Sequence, residues 1–295
     1  MSKLIRCITS DGCVTAMAVD STDIVNKAVE LHQTSAVVSA ALGRLLTAAS
    51  MMGNMLKGER DSITLRVDGD GPIGAVVAVA DSKGNVKGYA VNNVVEIPLN
   101  ARGKLDVGGA VGQGNLYVLK DLGMKEPYNG VIPLVSGEIA EDITAYYAES
   151  EQIPTVCALG VLVNPDLSIK AAGGYIIQLL PTADDTVISK VENSIAGVKP
   201  VTTLMSEGMS IEDIVRDALS EFDVEVLDET EAEYRCDCSR ERTERVLKAI
   251  GKEELEKLAD EQEITEVSCH FCGKKYKFTA DEVRKLASKK IIEKN

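Results

Sequence analysis

The feature that most constrains this chain is a set of two cysteine pairs toward its C-terminal end. Cys236-Asp237-Cys238 is followed, thirty residues on, by Cys269-His270-Phe271-Cys272. Each pair offers two ligands from one short segment, and the intervening chain is long enough to fold back. That is what a tetrahedral dication needs, and thiolate sulfur suits Zn²⁺ at about 2.3 Å. His270 lies between two of these ligands and could replace one; with four cysteines available, a surface or hydrogen-bonding role is the preferred reading. Cys7, Cys13 and Cys157 lie in strand-like apolar stretches without ligand spacing and read as small core hydrophobes. His32 stands on a predicted helix and reads as structural. Spacing alone leaves two roles open, a permanent structural staple or a redox switch. The tight Cys-X-Cys pair and the cations around it (Arg235, Arg240, Arg242, Lys274 and Lys275) lean toward the switch, because nearby positive charge favours the reactive thiolate.

A chain of 295 residues with 45% hydrophobic content can bury a substantial core and carry a smaller module besides. Aromatics are only 4%, with no Trp, so that core rests on Val, Ile, Leu, Ala and Met. The net charge of −14 argues against nucleic acid or an anionic membrane as the main partner, since both call for clustered positive charge. The stretch Ser35–Leu56 is the most membrane-like. It carries Arg44 near its middle, at an insertion cost of roughly 2.5–3.5 kcal/mol, and reads as a buried core helix. Without a secretory signal in Met1–Gly12, seven cysteines predict a reducing, cytoplasmic setting with metal or redox chemistry.

Periodicity predicts a mixed architecture. Leu4–Thr9 and Cys13–Val19 flank Ser10-Asp11-Gly12 as a hairpin. A helix capped by Ser21 or Thr22 reaches about Gln33, and Ser35–Lys57 supplies a second. Ser62–Asp68, Gly74–Ala80 and Val86–Val91 read as a meander, and Asn115–Asp121, Thr155–Val163 and Ser168–Leu180 as further strands. Ser136 is a candidate cap for a helix over Glu138–Ser150. Neighbouring antiparallel strands mixed with helices make the class α+β.

Beyond Pro181 the character shifts. Val187, Ile188, Val191 and Ile195 mark one helix. Ser210 opens another, with Ile211, Ile214, Val215 and Leu219 on its apolar face. Glu207–Glu233 holds eleven acidic residues and one basic, Arg216, whereas Arg235–Asn295 holds fifteen basic and thirteen acidic. The division predicted is 1–181, an α+β body; 182–233, an acidic helical linker; and 234–295, a zinc-binding module. The module's apolar residues are few: Val246, Leu247, Ile250, Leu255, Leu258, Ile264, Val267, Phe271 and Phe278.

Gly69-Asp-Gly71-Pro-Ile-Gly74 fits the dinucleotide fingerprint in letters only. A strand follows it and Pro72 blocks the strand-to-helix turn, so a β-turn is the reading. There is no phosphate-binding lysine loop, and no Ser-His-Asp or Glu-rich catalytic constellation of an enzyme.

Tyr234-Arg-Cys-Asp-Cys-Ser-Arg-Glu-Arg242, Cys269-His-Phe-Cys272 and Tyr276-Lys-Phe278 resemble the 33 kDa redox-regulated heat-shock chaperone family. Ala41-Leu-Gly-Arg-Leu45, Met55-Leu-Lys-Gly58, Gly137-Glu-Ile-Ala-Glu-Asp142, Ser150-Glu-Gln152 and Gln178-Leu-Leu-Pro181 extend the likeness over nearly the whole chain. The resemblance implies an ATP-independent holdase, with one zinc held by Cys236, Cys238, Cys269 and Cys272 in the reduced, inactive form. It implies that oxidation pairs Cys236–Cys238 and Cys269–Cys272, releases zinc and loosens module and linker. The active form would be a homodimer that captures unfolding client proteins. On the residues, the candidate client surface is the stripe Ile211, Ile214, Val215 and Leu219. A zinc-ribbon protein that binds nucleic acid or another partner is the alternative, separable by salt-dependent DNA binding. A thiol–disulfide oxidoreductase would need an isolated Cys-X-X-Cys on a thioredoxin-like scaffold.

Overall fold

The computed structural model describes residues 2–288, and the chain divides into two compact units, Met1–Arg235 and Cys236–Asn295. In the first, β1 (Ser2–Thr9) and β2 (Val14–Asp20) form the predicted hairpin, followed by α1 (Thr22–His32) and α2 (Ala36–Asn54). The meander is β3 (Ser62–Gly69), β4 (Ala75–Asp81) and β5 (Val86–Ala90). Then come α3 (Val107–Val111), β6 (Gly114–Asp121), β7 (Tyr128–Pro133), α4 (Ala140–Tyr146), β8 (Thr155–Val163) and β9 (Ile169–Leu179). The unit ends with α5 (Asp185–Ala196), α6 (Val201–Ser206), α7 (Ile211–Ala218) and β10 (Val224–Ala232).

Two antiparallel sheets, ordered β10-β1-β2-β9-β8 and β5-β4-β3-β6-β7, pack on α2. That helix is apolar or small on every side, which only full burial satisfies; all its residues except Ala36 and Arg44 are buried. It is long and apolar enough to cross a membrane, yet 89% of that window lies inside the protein. Gly53 lets it approach closely, since a Cβ there would lie 2.5 Å from the Asp81 carbonyl oxygen. Arg44 leaves the apolar surroundings by bonding the Glu138 carboxylate and, at 3.1 Å, its carbonyl.

The first sheet is covered on both faces, and strand alternation sorts its side chains accordingly. Leu4, Met17, Val19 and Ile176 join the core around α2. Ile5, Cys7, Ala16, Ala18, Tyr175 and Ile177 join a second core under α5, α6 and α7. Gly69-Asp-Gly71-Pro72 is a turn into β4, and its glycines pack on the end of α3, where Gly69 faces the Val111 carbonyl.

Three expectations differ from what is observed. Ser136 does not cap α4. The buried Asp142 carboxylate does that work, accepting from the amides of Val135 (2.8 Å), Ser136 (3.1 Å), Gly137 (3.3 Å) and Ile139 (2.9 Å). It thereby holds Ile139 at φ 74°, a left-handed conformation costly for a β-branched residue. The helix stops at Tyr146, where a π turn over Tyr147–Glu151 takes over. Finally, the end of the acidic stretch is no helix: β10 pairs with β1 along its length, because backbone pairing tolerates side chains that point into water.

Asp142→Ala should destabilise the first unit by at least about 3 kcal/mol, since four amides lose a charged acceptor in a buried place. Urea unfolding followed by circular dichroism measures it. An unchanged midpoint would show that water or neighbouring groups satisfy those amides as well.

Candidate metal centre

The second unit is assembled from α8 (Arg240–Ala249), α9 (Lys252–Glu261), β11 (Ile264–Ser268), β12 (Lys275–Thr279) and α10 (Ala280–Ser288). Ser239 caps α8, accepting from the Arg242 amide at 3.2 Å, and so fixes where the extended segment carrying Cys236 and Cys238 ends. Strands β11 and β12 pair from Ile264↔Thr279 to Ser268↔Lys275. The turn between them carries Cys269 and Cys272 and closes through Gly273, whose φ of 71° suits glycine. The Gly273 amide donates to the Cys269 carbonyl at 2.8 Å, and the Cys269 amide to the Lys274 carbonyl at 2.9 Å.

These two supports bring all four cysteines together, their sulfurs within 4.8 Å of one another. Cys236 and Cys269 are 3.7 Å apart, sulfur to sulfur, and Cys238 and Cys272 are 3.4 Å apart. A tetrahedron with about 2.3 Å from metal to sulfur has edges of about 3.8 Å. The donor set and the spacing both fit a thiophilic dication. His270 is exposed and is not among the converging ligands.

The electrostatics differ from the sequence reading. Burial pushes the Cys236 and Cys272 thiols up. Burial opposes the Cys238 thiolate too, but hydrogen bonds, first that of the Tyr276 hydroxyl at 3.1 Å, bring its pKa below the ordinary thiol value. The surrounding cations serve other partners. Arg242 pairs with Asp237, Lys275 with Glu266 at 2.7 Å, and Arg240 with Glu282 at 2.7 Å while lying over the Phe278 ring.

A small core backs the site: Leu247, Leu255, Ala259, Tyr276, Phe278, Val283 and Leu286. Val246, Ile250 and Ile264, expected among its apolar residues, are exposed, whereas Tyr276, Val283 and Leu286 complete it. The alternation Tyr276-Lys-Phe278 on β12 is the sequence signal that points the two rings inward. Elsewhere, Cys7 is buried and burial raises its pKa to about 11; Cys157 is raised for the same reason. Cys13 falls in the turn before β2 instead of on the strand. Ile211, Ile214, Val215 and Leu219 are all buried in the core between α5–α7 and the first sheet.

The fold has known counterparts. A family profile described as Hsp33 protein matches residues 2–279. The 33 kDa chaperonin of Acetivibrio thermocellus is 49% identical, over 98% of this chain and 97% of its own. That of Lachnoclostridium phytofermentans is 46% identical over 97% and 98%. The crystal structure of the 33 kDa chaperonin (heat shock protein 33 homolog) from Thermotoga maritima superposes with a TM-score of 0.88 at 36% identity, covering 97% of each chain. The class is therefore a chaperone with a terminal four-cysteine unit. The chain belongs to the Hsp33 family.

Replacing any one of Cys236, Cys238, Cys269 or Cys272 by alanine should weaken metal binding by several orders of magnitude, as read by competition with a chromogenic chelator. Alanine at Cys7, Cys13 or Cys157 should leave it unchanged. Retained tight binding in Cys272→Ala would dismiss the four-sulfur centre.

Proposed function

We propose that this protein is a cytoplasmic, ATP-independent holdase held inactive by one Zn²⁺ on Cys236, Cys238, Cys269 and Cys272. The observation that carries this reading is the sulfur cluster itself, which ties together a unit with few buried apolar residues. Zinc binding in comparable modules supplies roughly 10–16 kcal/mol, and that binding energy is folding energy.

Oxidation switches the unit by removing the ligands. Two thiolates give up two electrons to form each disulfide; hydrogen peroxide accepts them and, with two protons, leaves as two waters. Two peroxides serve Cys236–Cys238 and Cys269–Cys272, and zinc departs. In the reduced centre the short sulfur–sulfur contacts run across the two segments, Cys236 to Cys269 and Cys238 to Cys272. Disulfides in that arrangement would close loops of more than thirty residues and constrain the unfolded chain by roughly 3–4 kcal/mol. Pairing within each segment constrains it by less than about 2 kcal/mol and leaves the unit free to unfold. The relatives' chaperone class supports unfolding proteins as clients, and apolar surface uncovered by oxidation would hold them and support a homodimer. The stripe Ile211, Ile214, Val215 and Leu219, or the sheet face beneath it, is the client surface on this reading.

After peroxide, peptide mapping should find Cys236–Cys238 and Cys269–Cys272, zinc should appear free, and the protein should suppress light scattering by a heat-denatured client without nucleotide. Cross-segment disulfides in the active protein would sink the switch as drawn. Hydrogen exchange over residues 184–222 should rise on oxidation. If it stays at the reduced level while clients bind, the surface lies elsewhere, and Val91, Val94, Met124 and Val135, 60–69% exposed from the start, become the place to look.

A further inference from the structure

The buried tyrosine beside the cysteines does two things at once. Its ring belongs to the small core with Leu247, Leu255, Phe278 and Val283, and the residue is 7% exposed. Its hydroxyl leaves that core and donates to the Cys238 sulfur at 3.1 Å. Two residues on, Phe278 occupies the equivalent inward place on β12 with no hydroxyl at all and is 1% exposed. Packing therefore asks only for an aromatic ring at such a position; the oxygen at 276 needs an acceptor, and a buried hydroxyl without one is costly. The acceptor is a candidate metal ligand. A hydrogen bond to a metal-bound sulfur withdraws electron density from it and orients its lone pairs.

We infer that Tyr276 is a positioning residue for the metal centre: its hydroxyl donates to the Cys238 sulfur and fixes where that ligand points, while its ring ties the ligand to the hydrophobic core of the unit. The inference rests on the zinc reading above. Metal occupancy and core packing are joined through one side chain. While the Cys238 sulfur is held in the cluster, the hydroxyl has its acceptor and the ring stays docked. Once that sulfur enters a disulfide it loses its charge and most of its accepting power, and the hydroxyl must find water. Undocking the ring is the direct way to reach it. The same bond makes the Cys238 sulfur a poorer nucleophile toward peroxide while the metal is bound, so it sets how readily the centre yields to oxidant.

The full-length chain loaded with Co²⁺ reports the sulfur electronics through its sulfur-to-cobalt charge-transfer band. Tyr276→Phe should move that band to lower energy, weaken Zn²⁺ binding about tenfold, and speed peroxide-driven zinc release. Incorporating 3-fluorotyrosine at 276 keeps the packing and strengthens the donor, so it should move the band to higher energy and slow release. This second replacement carries the test even if the first fails to fold. A wild-type four-sulfur spectrum that neither replacement alters overturns the role of Tyr276 alone. A wild-type protein with no four-sulfur spectrum overturns the zinc reading and this inference with it. Opposite shifts in the two replacements establish the hydrogen bond at the metal, because a purely structural defect would move both the same way.

Discussion

Four cysteine sulfurs within 4.8 Å of one another are the constraint on which the second unit rests. Two unit charges 4 Å apart repel by about 4 kcal/mol at an effective dielectric of 20, so four thiolates cannot share this space unaided. Protons relieve the repulsion in one way, and burial, which disfavours the charged form, pushes the Cys236 and Cys272 thiols toward that state. A dication relieves it in another, replacing the protons and drawing all four sulfurs inward. An oxidant offers a third by turning the thiolates into neutral disulfides, which no longer need to converge. On the proposed switch, each state would demand a different backbone from the same residues.

The spacing that defines the centre was legible because metal ligation is local in sequence, two ligands to a segment. The strands β1, β2 and β9 were legible for a similar reason: both faces of the sheet are buried, so apolar residues dominate each short segment. The Ser210 capping box at the start of α7 also forms as expected, with Asp213 answering Ser210. What escaped was set by distant partners. β10 carries Glu225, Asp228, Glu229 and Glu231, a poor strand composition, and becomes a strand because β1 offers it an edge more than two hundred residues away. The hydroxyl of Tyr276 meets Cys238 across the unit, and no pattern along the chain announces a contact of that separation. Asp142 escaped because a carboxylate in a predicted helix reads as a solvated face, while its actual partners are amides of the loop before it.

The acidic run has a structural use that its composition alone conceals. β10 is an edge of the first sheet, and an edge offers unpaired backbone groups to any other chain. Its outward carboxylates repel such a visitor. The register shift opposite Arg6 and Cys7, which leaves Leu227 without a partner in the ladder, disrupts the flat template further. Past β10 the chain remains tied down: Tyr234 donates to the Gly88 carbonyl at 2.8 Å, and the Arg235 amide to the Val86 carbonyl at 2.9 Å. The first unit is therefore fastened up to the residue before Cys236 by contacts that owe nothing to the cysteines.

On the proposed function, this layering bears on how the chain could expose surface without losing its fold. The core around α2 takes residues from both sheets, whereas the core under α5–α7 takes only one face of one sheet and three short helices. If the outer helices lift, Ile5, Ala16, Ala18, Tyr175 and Ile177 are uncovered, while Leu4, Met17, Val19 and Ile176 on the opposite face stay packed on α2. The sheet keeps its hydrogen bonds and its inner packing. What it gains is a row of apolar side chains on a pleated surface. The lifted α7 carries a matching apolar stripe, so both halves of the opened interface could hold clients. A fold with a single shared core would have no such outer layer to give up, because parting any two of its elements would open the centre of the molecule.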